Sequence, residues 1–234
     1  MKHALRLGMS GKDALLRHMP KVELVSEEER HDDGEFTPEQ EAALLKELPE
    51  HLRPLIRFLA AVGFRINEAL GMTWEEVNLD AGELRLAGRR TKSGKQKVLY
   101  LDGLPLEILK AQKAQPQVNG RVFTNPDGRP VNYWTAHLAF RAACERAGIK
   151  QGFTDPDGNL RTPGFHDLRR SFARRANRDG VPRNVIKEVA GWKTDAMLNH
   201  YLGSGSAADQ RTVSLRCTLA TKVLPLYIDN FSEL

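Results

Sequence analysis

Apolar residues along this 234-residue chain recur mostly at helical spacing, interrupted by one short region of alternation. Residues 2–17 place Ala4, Leu5, Leu7, Leu15 and Leu16 on a helical pattern too short to form a domain. The run SEEERHDDGE at 26–35 is charged throughout and reads as a linker. Thr37-Pro38-Glu39-Gln40 then predicts a helix start: threonine caps, proline takes the first helical position, and Gln40 reaches back to complete a capping box. Helices are expected at about 38–48, 51–62 and 66–72. Glu83 to Ala87 and Lys97 to Leu101 alternate and flank a Ser93-Gly94 turn, which predicts a β-hairpin. Arg121 to Thr124 is the expected third strand. Helical spacing returns over 131–147 and ends at Gly148, and DPDGN at 155–159 is turn chemistry. A long helix over 165–179 stops at Gly180. Pro182 opens a shorter one through Ala190, and Thr194 caps a last one ending at Gly203. The class is α+β, mostly helical with a small antiparallel three-stranded sheet. That architecture identifies no function by itself.

Composition narrows the class. A hydrophobic share of 41% is enough to fill a sizeable core, which excludes global disorder. Cys144 and Cys217 cannot frame a disulfide-stapled fold, and no C-x-x-C pair points to zinc. That usage suits a reducing cytoplasm. The best apolar run, Leu55 to Phe64, is broken by Arg57, and the first residues are too charged for a signal peptide. A soluble cytoplasmic protein with no membrane partner is expected.

The net charge of +5 is modest, but its distribution is lopsided. Six cations and no acid fall between Arg85 and Lys97. Eight cations face only Asp167 and Asp179 between Arg161 and Lys187, while ten carboxylates crowd residues 24–50. Clustered positive charge is the footprint of a polyanion partner, with a solvated basic face as the plainer reading.

Four separated clusters carry possible chemistry. In GFRINE at 63–68, Arg65 and Glu68 lie three residues apart at a helix start, where the carboxylate can orient the guanidinium or simply form a surface pair. In RTKSGK at 90–95, a lysine on a turn can reach a site and donate a proton; otherwise it is a charged strand edge. In FHDLRRSF at 165–172, His166 and Arg169 share a helix face, while Phe165, Leu168 and Phe172 form its apolar stripe. An imidazole beside a guanidinium suits an oxyanion such as phosphate. In the fourth, GWK at 191–193, Trp192 offers an indole donor and Tyr201 follows nine residues on; both also fit as core aromatics.

Taken in order, these motifs resemble the catalytic domain of the tyrosine recombinases, the phage-integrase family. The resemblance covers about residues 37–203 and rests on GFRINE, TKSGK, HDLRRS, AGW and MLNHY. It implies a site-specific DNA recombinase of the DNA breaking-rejoining fold. Tyr201 would attack a phosphodiester and form a 3′-phosphotyrosyl link. Arg65 and Arg169 would hold the non-bridging oxygens, Lys92 would protonate the departing 5′-oxygen, and His166 would act as base. Trp192 stands where many members have a second histidine, and Glu68 would support. Arg89, Arg90, Lys95 and Arg170 are the expected DNA contacts. Neither metal nor ATP is implied, because two transesterifications conserve the bond energy.

The implied partners are double-stranded DNA, three further copies in a homotetramer on two duplexes, and accessory DNA-bending factors. The implied setting is the bacterial or phage-infected cytoplasm, at the nucleoid, in mobile-element integration or excision. Residues 1–36 are expected to be the remnant of a core-binding-domain helix plus an acidic linker. Residues 204–234 are expected to be a tail for protomer docking, with GSGSAADQ flexible and KVLPLYID a strand. Two other readings stay open at this point: a type IB topoisomerase-like enzyme, and an inert DNA-binding remnant. An RNA-binding role has no recognition motif behind it.

Overall fold

Thr37 and Gln40 close the capping box that their spacing predicts. The Gln40 N–H donates to Thr37 Oγ1 at 3.2 Å, and the Thr37 N–H donates to Gln40 Oε1 at 3.0 Å. They open α1 (Pro38–Glu47), with Pro38 where a missing N–H leaves no bond unmade. The computed structural model describes residues 34–88, 94, 96–115, 120–150, 153–155 and 157–202. All of these fall in one compact unit.

A 3₁₀ turn at Glu50–Leu52 leads into α2 (Arg53–Val62), the central helix. Its Leu55, Ile56, Phe58, Leu59 and Val62 are buried at i, i+3, i+4 and i+7 spacing. Helix α2 stops at Gly63, whose φ of +63° favours glycine. A Cβ there would also lie 2.3 Å from the Phe172 ring, so chain direction and packing both require glycine. The short α3 (Ile66–Leu70) starts three residues later, which confines Phe64 and Arg65 to a corner.

The sheet has order β1-β2-β3, antiparallel throughout: β1 (Val77–Asn78), β2 (Glu83–Leu86) and β3 (Lys97–Tyr100). The predicted hairpin is present, in the register Leu84↔Leu99 and Leu86↔Lys97. The third strand corrects the expectation: it is β1, not 121–124. Arg121 and Thr124 make only isolated bridges, to Thr73 and Pro130. Val122 N–H donates to Met72 O at 3.1 Å, and Arg121 reaches Gly71 O, so this segment's bonds go to the end of α3. Helix α4 (Leu104–Lys113) follows the sheet. It fills a stretch with no predicted element, and packs Ile108 and Leu109 inward against α2.

Four helices complete the described fold: α5 (Tyr133–Arg146), capped by Asn132, then α6 (Phe165–Arg178), α7 (Arg183–Ala190) and α8 (Asp195–Leu202). The predicted cap at Thr194 is made, its Oγ1 accepting from Met197 N–H at 3.2 Å. The main core gathers Phe36, Phe58, Phe123, Phe140 and Phe153 around α2 and the inner face of the sheet. A second, smaller core joins α6, α7 and α8 through Ala173, Ile186, Ala190, Trp192 and Leu198. No helix among the described residues is long and apolar enough to cross a membrane. The expectations for residues 1–33 and 203–234 lie outside the described residues.

Candidate active site

Arg65 sits at the N-cap of α3, and the geometry its spacing suggested is present. Its Nη1 meets Glu68 Oε1 at 3.0 Å, while its backbone N–H donates to Glu68 Oε2 at 3.3 Å. The carboxylate therefore fixes the guanidinium and its backbone together. Glu68 is buried, and the Arg65 side chain keeps about a quarter of its surface open.

Arg169 departs from ordinary arginine behaviour. Only 1% of it is exposed. One terminal nitrogen donates to Gly63 O, and the other to Ala190 O at 2.7 Å. It thus bridges the end of α2 to the end of α7. Its guanidinium carbon lies 4.5 Å from the Trp192 ring centroid and 5.7 Å from that of Tyr201. The two rings are 4.6 Å apart, tilted by 31°. Burial lowers the Arg169 pKa to about 10, with the Arg65 charge adding to the effect and Tyr201 opposing it. The group therefore stays cationic at neutral pH.

Two buried donors here have no acceptor among the described residues: Arg169 Nε and Trp192 Nε1. A buried N–H left unpaired costs about 1–3 kcal/mol, so such a pair is uncommon in a well-packed interior. Both belong to side chains in direct contact, and they suit a ligand rich in acceptor oxygens.

His166 stands one turn before Arg169 on α6, with an exposed side chain. The surrounding protein still desolvates the ring enough to lower its pKa, and the Arg169 charge adds to this. The imidazole is therefore neutral near pH 7 and able to accept a proton. A cleft of about 720 Å³ opens over Arg65, His166 and Arg169, with Tyr133, His137 and Arg141 of α5 on its far side. Trp192 and Tyr201 do not line it; they reach the site through the Arg169 guanidinium.

The fold thus brings together Arg65, Glu68, His166, Arg169, Trp192 and Tyr201. Lys92, Arg89, Arg90 and Lys95 lie outside the described residues. Arg170 requires a correction. Expected at DNA, it is 4% exposed, and its guanidinium donates to Asp167 Oδ1 at 2.6 Å. The same carboxylate takes a two-pronged contact from Arg161, at 2.8 and 2.7 Å, and caps the Gly164 N–H at 2.7 Å. Arg170 therefore anchors the first turn of α6 from inside. Sequence reasoning missed Arg161, Asp167 and Lys97, along with the α5 wall of the cleft. The i, i+4 spacing of Tyr133, His137 and Arg141 was the available signal for that wall.

This α+β arrangement is the fold of DNA recombinases. It matches lambda integrase in a tetramer bound to a Holliday junction, with TM-score 0.63 and 18% identity over 88% of this chain and 57% of that one. It also matches the XerA recombinase, with TM-score 0.61 and 16% identity over 81% of this chain and 66% of the other. The chain belongs to the phage integrase family, whose sequence profile matches residues 35–207. It is similar to the integrase of Salmonella phage P22, at 27% identity over 70% of this chain and 42% of the relative. It is also similar to the tyrosine recombinase XerD of Corynebacterium glutamicum, at 26% identity over 76% and 55%. The chain spans about half the length of these two relatives.

Proposed function

We propose that this domain performs site-specific breakage and rejoining of double-stranded DNA through a 3′-phosphotyrosyl intermediate on Tyr201. The observation that carries the reading is the pair of unpartnered buried donors, Arg169 Nε and Trp192 Nε1, packed against the Tyr201 ring. A phosphodiester supplies the oxygens that such donors lack. Its pentacoordinate transition state gains negative charge, which preorganised cations stabilise most.

In this reading the Tyr201 oxygen attacks phosphorus and His166 takes the hydroxyl proton. The bond from phosphorus to the 5′-oxygen breaks, and Lys92 protonates the leaving oxygen. Arg65, held by Glu68, and Arg169 neutralise the non-bridging oxygens, with Trp192 donating to one of them. A 5′-hydroxyl from the same or another strand then attacks the phosphotyrosine, restoring the diester and the free tyrosine. Arg89, Arg90 and Lys95 contact the backbone near the hairpin. DNA-bending factors and a nucleoid setting complete the reading, and integration or excision of a mobile element is the process it serves. Lambda integrase, which shares the fold, forms a tetramer on a Holliday junction; we extend that assembly to this protein.

The test is trapping on nicked duplexes, where loss of a short 5′-fragment prevents religation. A denaturation-resistant protein–DNA band is expected from the parent, and none from Tyr201→Phe or Arg169→Met. Binding without any covalent band from the parent would favour an inert DNA-binding remnant. Affinity should fall steeply with salt, since phosphate contacts release counterions.

A further inference from the structure

Alternation along β3 makes Lys97 an anomaly. It lies two residues from buried Leu99, so both side chains leave the same face of the strand, the one turned to the core. A lysine there must desolvate its ammonium, and an apolar side chain would fill the position without that cost. The ammonium instead meets two specific partners. Nζ donates to Val189 O at 2.5 Å and lies 4.3 Å from the centroid of Phe64, the residue just before Arg65.

The carbonyls of the last turn of α7 give that bond its meaning. A helix end leaves four carbonyls without intrahelical partners. Here Lys187 O accepts from Trp192 N–H at 2.8 Å and Glu188 O from Gly191 N–H at 3.1 Å, with Gly191 in the left-handed conformation. The remaining two take side-chain cations: Val189 O takes Lys97, and Ala190 O takes Arg169. Both cations also face the negative end of the helix dipole. Trp192 follows immediately, against Arg169 and Tyr201.

We propose that Lys97 is a positioning residue of this site: it pins the last turn of α7 to the corner carrying Arg65, and so holds Trp192 in register with Arg169 and Tyr201. What this positioning serves rests on the recombinase reading given above. Burial lowers the pKa of Lys97 to about 8. Glu68 of α3 and Glu188 of α7 oppose that shift, while Arg169 of α6 and Arg65 at the start of α3 add to it. Raising the pH through that value removes the charge that grips Val189 O, and the grip loosens.

The test uses the full chain with Trp74→Phe and Trp134→Phe, leaving Trp192 as the reporter. In this background Lys97→Met is expected to shift the Trp192 emission to the red and speed its quenching by acrylamide, with Lys97→Arg restoring both. The Lys97 protein should show an emission step near pH 8, which Lys97→Arg lacks. On nicked duplexes, Lys97→Met should slow single-turnover cleavage by on the order of 100-fold, the scale of a roughly 1 Å misplacement. DNA affinity should stay within about twofold under the same assumption, and Lys97→Arg should recover most of the rate.

Unchanged Trp192 emission and an identical pH response in Lys97→Met would overturn the proposal, as would full-rate cleavage by that variant. A parent that never forms an adduct overturns the recombinase reading alone, and the emission of Trp192 still decides the role of Lys97. If Lys97→Met fails to fold by circular dichroism, the pH step and its loss in Lys97→Arg decide it.

Discussion

The two apolar cores hold different halves of the site. The main core surrounds α2, and at the end of that helix it fixes Gly63, Phe64 and the Arg65–Glu68 pair. The smaller core packs α6, α7 and α8 together, and it carries Trp192 and Tyr201. Arg169 bonds to both sides, to Gly63 O and to Ala190 O. The Arg65–Glu68 pair is thus set in the extensive core, while Tyr201 rides on an eight-residue helix held by few apolar contacts. Local opening free energy follows the amount of buried apolar contact, so the tyrosine arm is the part able to move without unfolding the rest.

The largest effects are expected where the main core is cut. Phe58 is fully buried between Phe64 and Phe123, at centroid distances of 5.7 and 5.5 Å. Phe58→Ala is expected to cost about 3–5 kcal/mol in urea unfolding and to lower DNA cleavage with it. At Gly63 the strain of a positive φ adds to the collision with Phe172. Gly63→Ala should cost about 2–4 kcal/mol and displace the carbonyl that Arg169 grips. A cost below about 0.5 kcal/mol would mean that the corner is not rigid.

The smaller core should respond differently. Leu198→Ala empties a fully buried position on α8. Global unfolding is expected to lose less than the roughly 2–5 kcal/mol of an ordinary buried Leu→Ala change, because the loss cannot exceed the free energy that keeps α8 docked, and the α8 amides are expected to approach unprotected exchange. A loss of about 3 kcal/mol or more, with the α8 amides still protected, would show the two cores to be one cooperative unit.

The smallest effect concerns His166. Its folded pKa is depressed, by burial first and the Arg169 charge second. The unfolded chain therefore binds this proton more readily, so stability falls as pH drops below the ordinary histidine value toward the folded one. Above that window the effect is absent. His166→Asn should flatten this part of the stability–pH curve, measured as Tm between pH 5 and 7.5.

Most of the helices were legible because their ends are written in short-range chemistry. Thr37 and Gln40, Gly180 and Thr194 each act within a few residues, so spacing alone locates them. Strand β1 was not legible, since two residues carry no period, and its partner sets it. Helix α4 has only Ile108, Leu109 and Gln112 buried, too few to stand out as a pattern.

The site divides in the same way. The pairing of Arg65 with Glu68 is local and could be read, whereas the burial of Arg169 depends on carbonyls 106 and 21 residues away. Arg170 was misread for the converse reason. Adjacent arginines on one helix look alike in sequence, but the turn between them sends one to the cleft and the other into the Asp167 network. Lys97 escaped notice because its partner, Val189 O, lies 92 residues on.

Finding where DNA becomes attached decides whether Tyr201 is the nucleophile. The parent is incubated with a mixed pool of nicked duplexes, alone and with a core-binding domain fused upstream, then denatured, digested and mapped by mass spectrometry. A nucleotide linked through its 3′-phosphate to Tyr201, and absent from Tyr201→Phe, is the predicted result. An adduct on any other residue, or none from either protein, would contradict it.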